Sequence, residues 1–290
     1  MKETIGWIGV GSMGHRMSRH LVEGGYSVVV ADAVSTKLAP PGTTVAKSNA
    51  EVAKQADIII LSLPDGKVSE TVAKEIAATS PRRVTTVIDT STIGIKAAQA
   101  VAATLSAAGI DFIDAPVSGG TAGADKATLA IMMACPAPLF ERFKGLMSLM
   151  GKPFHAGDKP GQGQAIKLLN NFLSATALAA TSEAIAFGTG QGIEMKTILD
   201  IVNASTGRNS ATDDKFPRRI MHGRYDAGFT AKLQLKDICL YLDNARAAGI
   251  TDEIASVVVD VWERMDADLP GSDITEMYPF TLKGRKRKPA

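Results

Sequence analysis

The chain has 290 residues, 45% of them hydrophobic, and its 32 basic and 30 acidic side chains leave a formal net charge of +2. This composition is typical of a soluble globular protein with one large or two ordinary domains. The small net charge, with no basic stripe interleaved with aromatic residues, argues against nucleic-acid binding. Polar residues interrupt every apolar tract before the roughly 18 residues that a membrane span needs.

The cysteine and histidine positions indicate neither a metal centre nor a disulfide framework. Cys135 and Cys239 match no metal-binding spacing, so we expect both to be buried in a reducing compartment. The four histidines form no HxxxH pair. The first strand is predicted to begin by residue 4, which leaves no room for a signal peptide and favours a cytoplasmic location.

A glycine-rich turn follows the first apolar run, residues 4–8, and leads into an amphipathic segment. This strand, turn and helix are the context in which a GxGxxG motif binds the pyrophosphate of a dinucleotide. Gly9 would permit the tight turn, Gly11 the approach of the pyrophosphate, and Gly14 close packing of helix on strand. The residues of this turn expected at the cofactor are Gly9, Gly11, Ser12, Met13 and Gly14.

An acidic residue, Asp32, ends the second apolar run, 21 residues after Gly11. A carboxylate at this point of the fold accepts hydrogen bonds from the adenosine ribose and repels a 2′-phosphate. The sequence therefore predicts NAD as the cofactor in preference to NADP.

Apolar runs alternate with amphipathic segments through the first half of the chain. The predicted strands after the first are residues 26–31, 57–64, 86–89, 111–117 and 129–133. The predicted helices are residues 66–78 and 94–108, which lie between strands, and 137–150, which follows the last strand. This alternation predicts an α/β fold with a parallel, doubly wound (Rossmann-type) sheet. Ligands of such sheets bind beyond the carboxyl ends of the strands, which makes the loops at 63–65, 90–92 and 117–120 candidate binding loops.

The composition changes near residues 157–163, after which the chain reads as successive helices. We therefore predict a dinucleotide-binding domain at residues 1–162 and an all-α domain for substrate binding and dimerisation at residues 163–290. The second domain is predicted to begin with a long interdomain helix, about residues 164–188, whose mainly apolar surface is typical of burial in a core or between subunits. Lys167 and Asn171 lie one turn apart on it, so they share a face. The later predicted helices are residues 194–203, 213–221, 231–248 and 252–266, and the basic tail, residues 283–288, is expected to be a solvated end.

Four separated motifs resemble the β-hydroxyacid dehydrogenase family over nearly the whole chain. They are the glycine turn at 9–14, Asp-Ala-Pro-Val-Ser-Gly-Gly at 114–120, Gly-Gln-Gly-Gln-Ala-Ile-Lys-Leu-Leu-Asn-Asn at 161–171, and Lys-Asp at 236–237 following Gly-Phe at 228–229. The members of this family include 3-hydroxyisobutyrate dehydrogenase and tartronate semialdehyde reductase. The resemblance implies an NAD(P)-dependent interconversion of a small β-hydroxy carboxylic acid and its semialdehyde or keto form by hydride transfer.

The resemblance also implies roles for individual residues. The lysine that matches Lys167 is the catalytic acid/base, and the asparagine that matches Asn171 orients the substrate. The residues that match the substrate site are Ser118, Gly119, Gly120, Thr92, Phe229 and Asp237. Those that match the cofactor site outside the glycine turn are Leu63, Pro64, Thr92 and Lys236. The family further implies a homodimer or homotetramer formed through the helical domain.

The chemistry of these residue types agrees with the implied roles. A lysine in an apolar cavity has its pKa lowered towards working pH, so that it can take the hydroxyl proton in oxidation and return it in reduction. An asparagine amide such as that of Asn171 can donate to the substrate oxygen without competing for this proton. A Ser-Gly-Gly loop offers a hydroxyl and accessible backbone N–H groups to a carboxylate.

Two alternatives remain open from the sequence. Imine reductases resemble this family but usually lack the lysine, so Lys167 argues against them, and a non-catalytic dinucleotide-binding protein is the other. The chain also departs from the family at 134–137, where Ala-Cys-Pro-Ala replaces common glycines, and at Asp65, where a neutral residue is frequent. Phosphogluconate dehydrogenase has a much longer helical domain, so a sugar-phosphate substrate is not expected.

Overall fold

The computed structural model describes residues 2–284, and the chain divides into two compact units, Met1–Lys167 and Leu168–Ala290. The strands of the first unit are β1 (Ile5–Ile8), β2 (Val28–Ala31), β3 (Thr44–Val45), β4 (Ile58–Leu61), β5 (Thr86–Asp89), β6 (Asp111–Asp114), β7 (Val117–Ser118), β8 (Leu129–Ala134) and β9 (Gly151–Gly157). Its helices before the division are α1 (Gly14–Glu23), α2 (Asn49–Gln55), α3 (Gly66–Ala78), α4 (Ile95–Ala107), α5 (Gly120–Asp125) and α6 (Ala137–Met147).

The strands form one sheet in the order β3-β2-β1-β4-β5-β6-β8-β7, with β9 paired to β8. Pairing is parallel from β3 to β6, which confirms the predicted Rossmann-type fold. β8 departs from that pattern because it runs antiparallel to both β6 and β7. The sequence analysis missed β3 and β9, since neither contains a buried residue and neither therefore shows an apolar run.

The central strands β1 and β4 are fully buried because both faces of the sheet are covered by helices. Successive side chains of a strand point to opposite faces. Trp7 accordingly joins one hydrophobic core and Ile8 the other. In the neighbouring strand, Ile60 and Ile59 divide between the same two cores.

The second unit is helical, as predicted for the C-terminal part. The helices are α7 (Gln162–Gly190), which begins in the first unit, then α8 (Met195–Asn203), α9 (Phe216–Arg218), α10 (Ala231–Ala247), α11 (Glu253–Asp268) and α12 (Met277–Leu282). The core of this unit surrounds Trp262 and Phe216, both fully buried. No helix within residues 2–284 is long and apolar enough to cross a bilayer.

The helix predicted at residues 213–221 is wrong as one continuous element. The chain instead forms a π-helical turn at Ala211–Lys215, the short α9, and a 3₁₀ turn at Ile220–His222. Pro217 lies within α9, where its missing backbone N–H leaves one helical hydrogen bond unformed, and the helix ends after Arg218. Of the basic tail, residues from 285 onwards lie outside the described part of the chain.

Candidate active site

The glycine turn after β1 has three glycines with different structural demands. A Cβ at Gly9, where φ is +96°, would collide with the carbonyl oxygen of Ser62, and one at Gly14 would collide with the carbonyl oxygen of Gly9. A Cβ at Gly11 would meet nothing within 4 Å, and Gly11 is exposed. Packing therefore requires the first and third glycines, whereas only a ligand approaching the backbone requires the second. This open cradle at the start of α1 fits a pyrophosphate. The other residues predicted in the turn, Ser12 and Met13, lie in the same segment immediately before α1.

The indole of Trp7 supports the turn from inside the protein. Its Nε1–H donates to the carbonyl oxygen of Gly9 at 2.9 Å, and the Trp7 side chain is fully buried. The sequence analysis treated this residue only as part of an apolar strand. Its hydrogen bond fixes the carbonyl against which Gly14 packs.

Asp32 lies immediately after β2, and backbone groups hold its carboxylate in place. Oδ2 accepts a hydrogen bond from the N–H of Val10 at 2.8 Å, and Oδ1 accepts from the N–H groups of Val34 at 2.8 Å and Ser35 at 3.0 Å. The bond to Val10 ties the acid directly to the glycine turn. Asp32 is half-buried, so its oxygens keep capacity to accept further hydrogen bonds.

The loops after β4 and β5 are bonded to each other. The N–H of Leu63 donates to Oγ of Ser91 at 2.7 Å, and the hydroxyl of Thr90 donates to the carbonyl of Leu61 at 2.6 Å. Two further predicted residues lie in these loops: Pro64, which is exposed, and Thr92, which is half-buried. The atypical acid beside Pro64 has a structural role, because the Asp65 carboxylate caps α3 by accepting from the N–H of Val68.

The predicted carboxylate loop runs from β7 into α5. Ser118 ends β7 and pairs with Ala130 of β8. Gly119 and Gly120 follow at φ values of +138° and +62°, a region of backbone conformation that favours glycine. Both glycines are exposed, and a Cβ at Gly120 would meet nothing within 4 Å. The backbone of this loop is therefore accessible to a small anion.

A buried polar cluster that the sequence analysis did not single out joins the start of α7 to the ends of β5 and β6. The fully buried Gln164 side chain bonds the loop after β5 and also bonds Asp114 at the end of β6. Burial raises the pKa of Asp114 to about 6, against the hydrogen bonds from Gln164 and Gly161 that lower it. Burial also raises the pKa of Asp89, the neighbouring carboxyl at the end of β5.

Lys167 and Asn171 lie on α7, with only 8% and 7% of their surfaces exposed. The Asn171 amide is held by α10: its Nδ2 donates to Oδ2 of Asp237 at 2.6 Å. Nζ of Lys236 lies 3.2 Å from the other oxygen of that carboxylate. The amide of Gln234, which the sequence analysis did not name, donates to the backbone carbonyl of Asn171 at 3.2 Å.

Three of the predicted site residues, Asn171, Lys236 and Asp237, are thus brought together in the second unit. Asp237 is only 2% exposed, and its carboxylate is engaged by the other two. Phe229, also predicted at the site, is half-buried in the segment before α10, where its carbonyl accepts from the N–H of Ile274.

Among residues 2–284, no group of three or more His, Cys, Asp or Glu side chains is arranged to hold a metal ion. Both cysteines are free thiols. Cys135 is buried, as predicted, whereas Cys239 is half-buried, so the prediction of full burial is wrong for the second.

Comparison with known proteins gives matches over nearly the whole described chain. Residues 4–159 match the family described as the NAD binding domain of 6-phosphogluconate dehydrogenase, and residues 161–281 match the family described as NAD-binding of NADP-dependent 3-hydroxyisobutyrate dehydrogenase. The chain is 33% identical to 2-(hydroxymethyl)glutarate dehydrogenase of Eubacterium barkeri, covering 90% of this chain and 95% of that protein. It is also 33% identical to NAD-dependent L-serine dehydrogenase of Pseudomonas aeruginosa, covering 90% of this chain and 91% of that protein.

A solved structure of Mycobacterium tuberculosis 3-hydroxyisobutyrate dehydrogenase with L-serine superposes with a TM-score of 0.90. The two chains are 31% identical, and the match covers 97% of this chain and 99% of the other. The glycine turn and the acid after β2 agree with the NAD-binding family that matches the first unit. The chain belongs to the β-hydroxyacid dehydrogenase family, and it is an oxidoreductase that uses NAD.

Proposed function

We propose that the enzyme interconverts a small β-hydroxy carboxylic acid and its semialdehyde or keto form, with Lys167 as the acid/base. The observation that carries this proposal is the pair of buried polar side chains, Lys167 and Asn171, one turn apart on α7. Bound NAD would supply the hydride acceptor for oxidation, and bound NADH the hydride donor for reduction. The chain's own residues must then move one proton and hold the substrate.

In oxidation, Nζ of Lys167 accepts the proton of the substrate hydroxyl, and in reduction the protonated amine donates it back to the developing alkoxide. The amide of Asn171 has two N–H groups, one of which donates to Asp237. The second donates to the substrate oxygen. Asp237 and Lys236 fix the direction of this amide, so Asp237 acts on the substrate through Asn171.

The substrate carboxylate binds at the loop after β7. The hydroxyl of Ser118 and the backbone N–H groups of Gly119 and Gly120 are donors of the kind that a carboxylate needs. The exposure of both glycines supports this assignment. Thr92 and Phe229 are proposed to complete the substrate site, and Leu63, Pro64, Thr92 and Lys236 to contact the cofactor.

The substrates named for the relatives share one chemical feature, which supports a narrower substrate class for this enzyme. Serine, 3-hydroxyisobutyrate and 2-(hydroxymethyl)glutarate each carry a CH₂OH group on the carbon next to a carboxylate. They differ in the other substituent of that carbon. We propose that this enzyme takes a 3-hydroxypropanoate with such a substituent, since one scaffold can accept several of them by changes in the pocket wall.

A panel of hydroxy acids tests the substrate class. NADH formation is followed by absorbance with 3-hydroxyisobutyrate, 3-hydroxypropionate, L-serine, glycerate, threonate and 4-hydroxybutyrate, each with NAD and with NADP. We expect the highest kcat/KM with a 3-hydroxypropanoate and little turnover of 4-hydroxybutyrate, whose hydroxyl is one carbon further from the carboxylate. Turnover of 4-hydroxybutyrate alone, or of no β-hydroxy acid, would refute the assignment.

We propose that the two predicted domains have different roles, with residues 1–162 binding the dinucleotide and residues 163–290 serving substrate binding and self-association.

Three large apolar side chains of α7 support a homodimer or homotetramer: Leu169, Leu173 and Phe187 are 42%, 60% and 70% exposed. Apolar surface of this kind on one helix is typical of an interface. A monomer in light scattering would contradict self-association. The two free thiols support a location in the reducing cytoplasm.

A further inference from the structure

We propose that Gln164, hydrogen-bonded to Asp114, is a positioning residue that fixes the location of Lys167 and of the loop carrying Thr92. This inference rests on the proposed function of Lys167. Gln164 touches neither substrate nor cofactor in this scheme. It acts by fixing the first turn of α7 to the carboxyl ends of two strands.

The Gln164 amide uses its full hydrogen-bonding capacity. Its Oε1 accepts from the N–H groups of Ile93 at 2.9 Å and Gly94 at 3.1 Å. Its Nε2 donates to the carbonyl of Ser91 at 3.0 Å and to Oδ1 of Asp114 at 2.7 Å. An amide has two acceptor sites and two N–H groups, so all four are occupied and rotation by 180° would break every bond. The loop on both sides of Thr92 is therefore fixed to α7.

Asp114 holds the same helix through its other oxygen. Oδ2 accepts from the backbone N–H of Gly161 at 3.0 Å and from that of Gln164 at 3.1 Å. The first N–H groups of a helix have no partner within the helix, so a carboxylate here both satisfies them and fixes the helix start. One carboxylate thus binds the backbone and the side chain of Gln164.

The space around the helix start allows little adjustment. A Cβ at Gly163 would lie 2.5 Å from the carbonyl oxygen of Met132 and 3.0 Å from the carbonyl oxygen of Asp114. Lys167 follows Gln164 by three residues on the same helical face. Because the helix start is fixed in position and rotation, so is the point from which the Lys167 side chain extends.

A change from amide to carboxylate at residue 164 tests this anchor, because it alters charge and donors but hardly any volume. Gln164→Glu places a second carboxylate at the position now 2.7 Å from Asp114 Oδ1. Two carboxyl groups so close cannot both ionise, and they share one proton. The titratable neighbours of Asp114 include Asp89 on β5 and Cys135 after β8, and neither side chain carries a positive charge. In this variant, the hydrogen bond between residues 164 and 114 should persist at low pH and be lost as the shared proton dissociates at higher pH.

The experiment compares Gln164→Glu, Asp114→Asn, the double variant with both changes, and Gln162→Glu, an exposed control two residues away on the same helix. The readouts are kcat and KM against pH, and the thermal unfolding of the apo-protein against pH. We expect Gln164→Glu to lower kcat by about tenfold or more at pH 8, as misplacement of a reacting group does, and by less near pH 6. The unfolding temperature of Gln164→Glu should likewise lie further below the wild-type value at pH 8 than near pH 6. That of Gln162→Glu should stay close to the wild-type value at both pH values.

The double variant separates positioning from general damage. The new amide at 114 can donate to the new carboxylate at 164, and its oxygen still accepts from the two backbone N–H groups, whereas the carbonyl of Ser91 loses its donor. We therefore expect the pH dependence introduced by Gln164→Glu to disappear and kcat to be partly restored. A folded Gln164→Glu variant with wild-type kcat and pH profile would overturn the inference, as would a stable double variant without recovery of kcat. Lys167→Ala, measured in parallel, reports on the proposed function alone: if it keeps turnover, the proton-transfer role is wrong whatever the Gln164 variants show.

Discussion

Asp32 is the single side chain that we propose selects the cofactor. Three backbone N–H groups hold its carboxylate after β2, one of them from Val10 in the glycine turn. The fixed negative charge would repel a 2′-phosphate and accept bonds from a free ribose. We therefore propose that preference for NAD over NADP depends on this residue.

Replacing Asp32 by alanine should relax that preference. We expect the NAD/NADP ratio of kcat/KM to fall by about tenfold or more, equivalent to about 1.4 kcal/mol, because the repulsion of the 2′-phosphate disappears. Asp111→Ala is the matched control, since Asp111 is exposed at the opposite, amino end of its strand. If the ratio in the Asp32 variant equals that of wild type, the carboxylate does not select the cofactor.

Single residues also show the limit of what the sequence could predict. Roles for Lys167 and Asp32 could be proposed from the sequence because each lies in a motif with a known spacing from neighbouring elements, and both roles remain predictions. Gln164 and Trp7 were not, because their functions depend on groups that meet only in the folded chain: the carbonyl of Gly9 for Trp7, and the loop after β5 for Gln164. The role of Asp237 likewise needed its contact with Asn171.

At the scale of elements, the β1–turn–α1 unit distinguishes glycines that packing requires from Gly11, which we propose is required for cofactor binding. Gly14→Ala should destabilise the protein by about 1–3 kcal/mol, since its Cβ would collide with the Gly9 carbonyl. Gly11→Ala should leave the unfolding temperature nearly unchanged, because nothing lies within 4 Å of the added methyl group. That methyl group should nevertheless weaken NADH binding by about tenfold, since it occupies the approach of the pyrophosphate.

Thermal unfolding and calorimetric titration with NADH check this pair of variants. The two glycines act as controls for each other, because the same methyl group is added three residues apart. Wild-type NADH affinity in a folded Gly11→Ala variant would show that the cofactor does not approach the turn here.

The strands and helices were predicted best where apolar residues were continuous or regularly spaced. α3 was predicted with its observed ends, and α7 with an error of two residues at each end. β9 has no buried residue and gave no such pattern. The segment from Ala211 to His222 was misread because a regular spacing of apolar residues does not reveal a π-helical turn, and because Pro217, which is visible in the sequence, was given no weight.

For the whole molecule, the sequence was sufficient to predict a Rossmann-type unit followed by a helical one, and the family to which both belong. The mainly apolar α7 was expected to be buried in a core or between subunits, and Leu173 and Phe187 are more than half exposed in the single chain. Composition could not distinguish a core helix from a helix that another subunit covers. The proposed oligomer would resolve that difference.

The proton-transfer role of Lys167 is tested most directly by Lys167→Ala, assayed for kcat on the best substrate of the panel and for NADH affinity by titration. We expect kcat to fall by roughly 10²–10⁴-fold, the usual contribution of general acid–base catalysis, while the Kd for NADH stays within a few-fold. Lys159→Ala, an exposed lysine shortly before α7, should behave as wild type. Undiminished turnover in the Lys167 variant, or a loss of NADH affinity that accounts for the lost activity, would contradict the assignment.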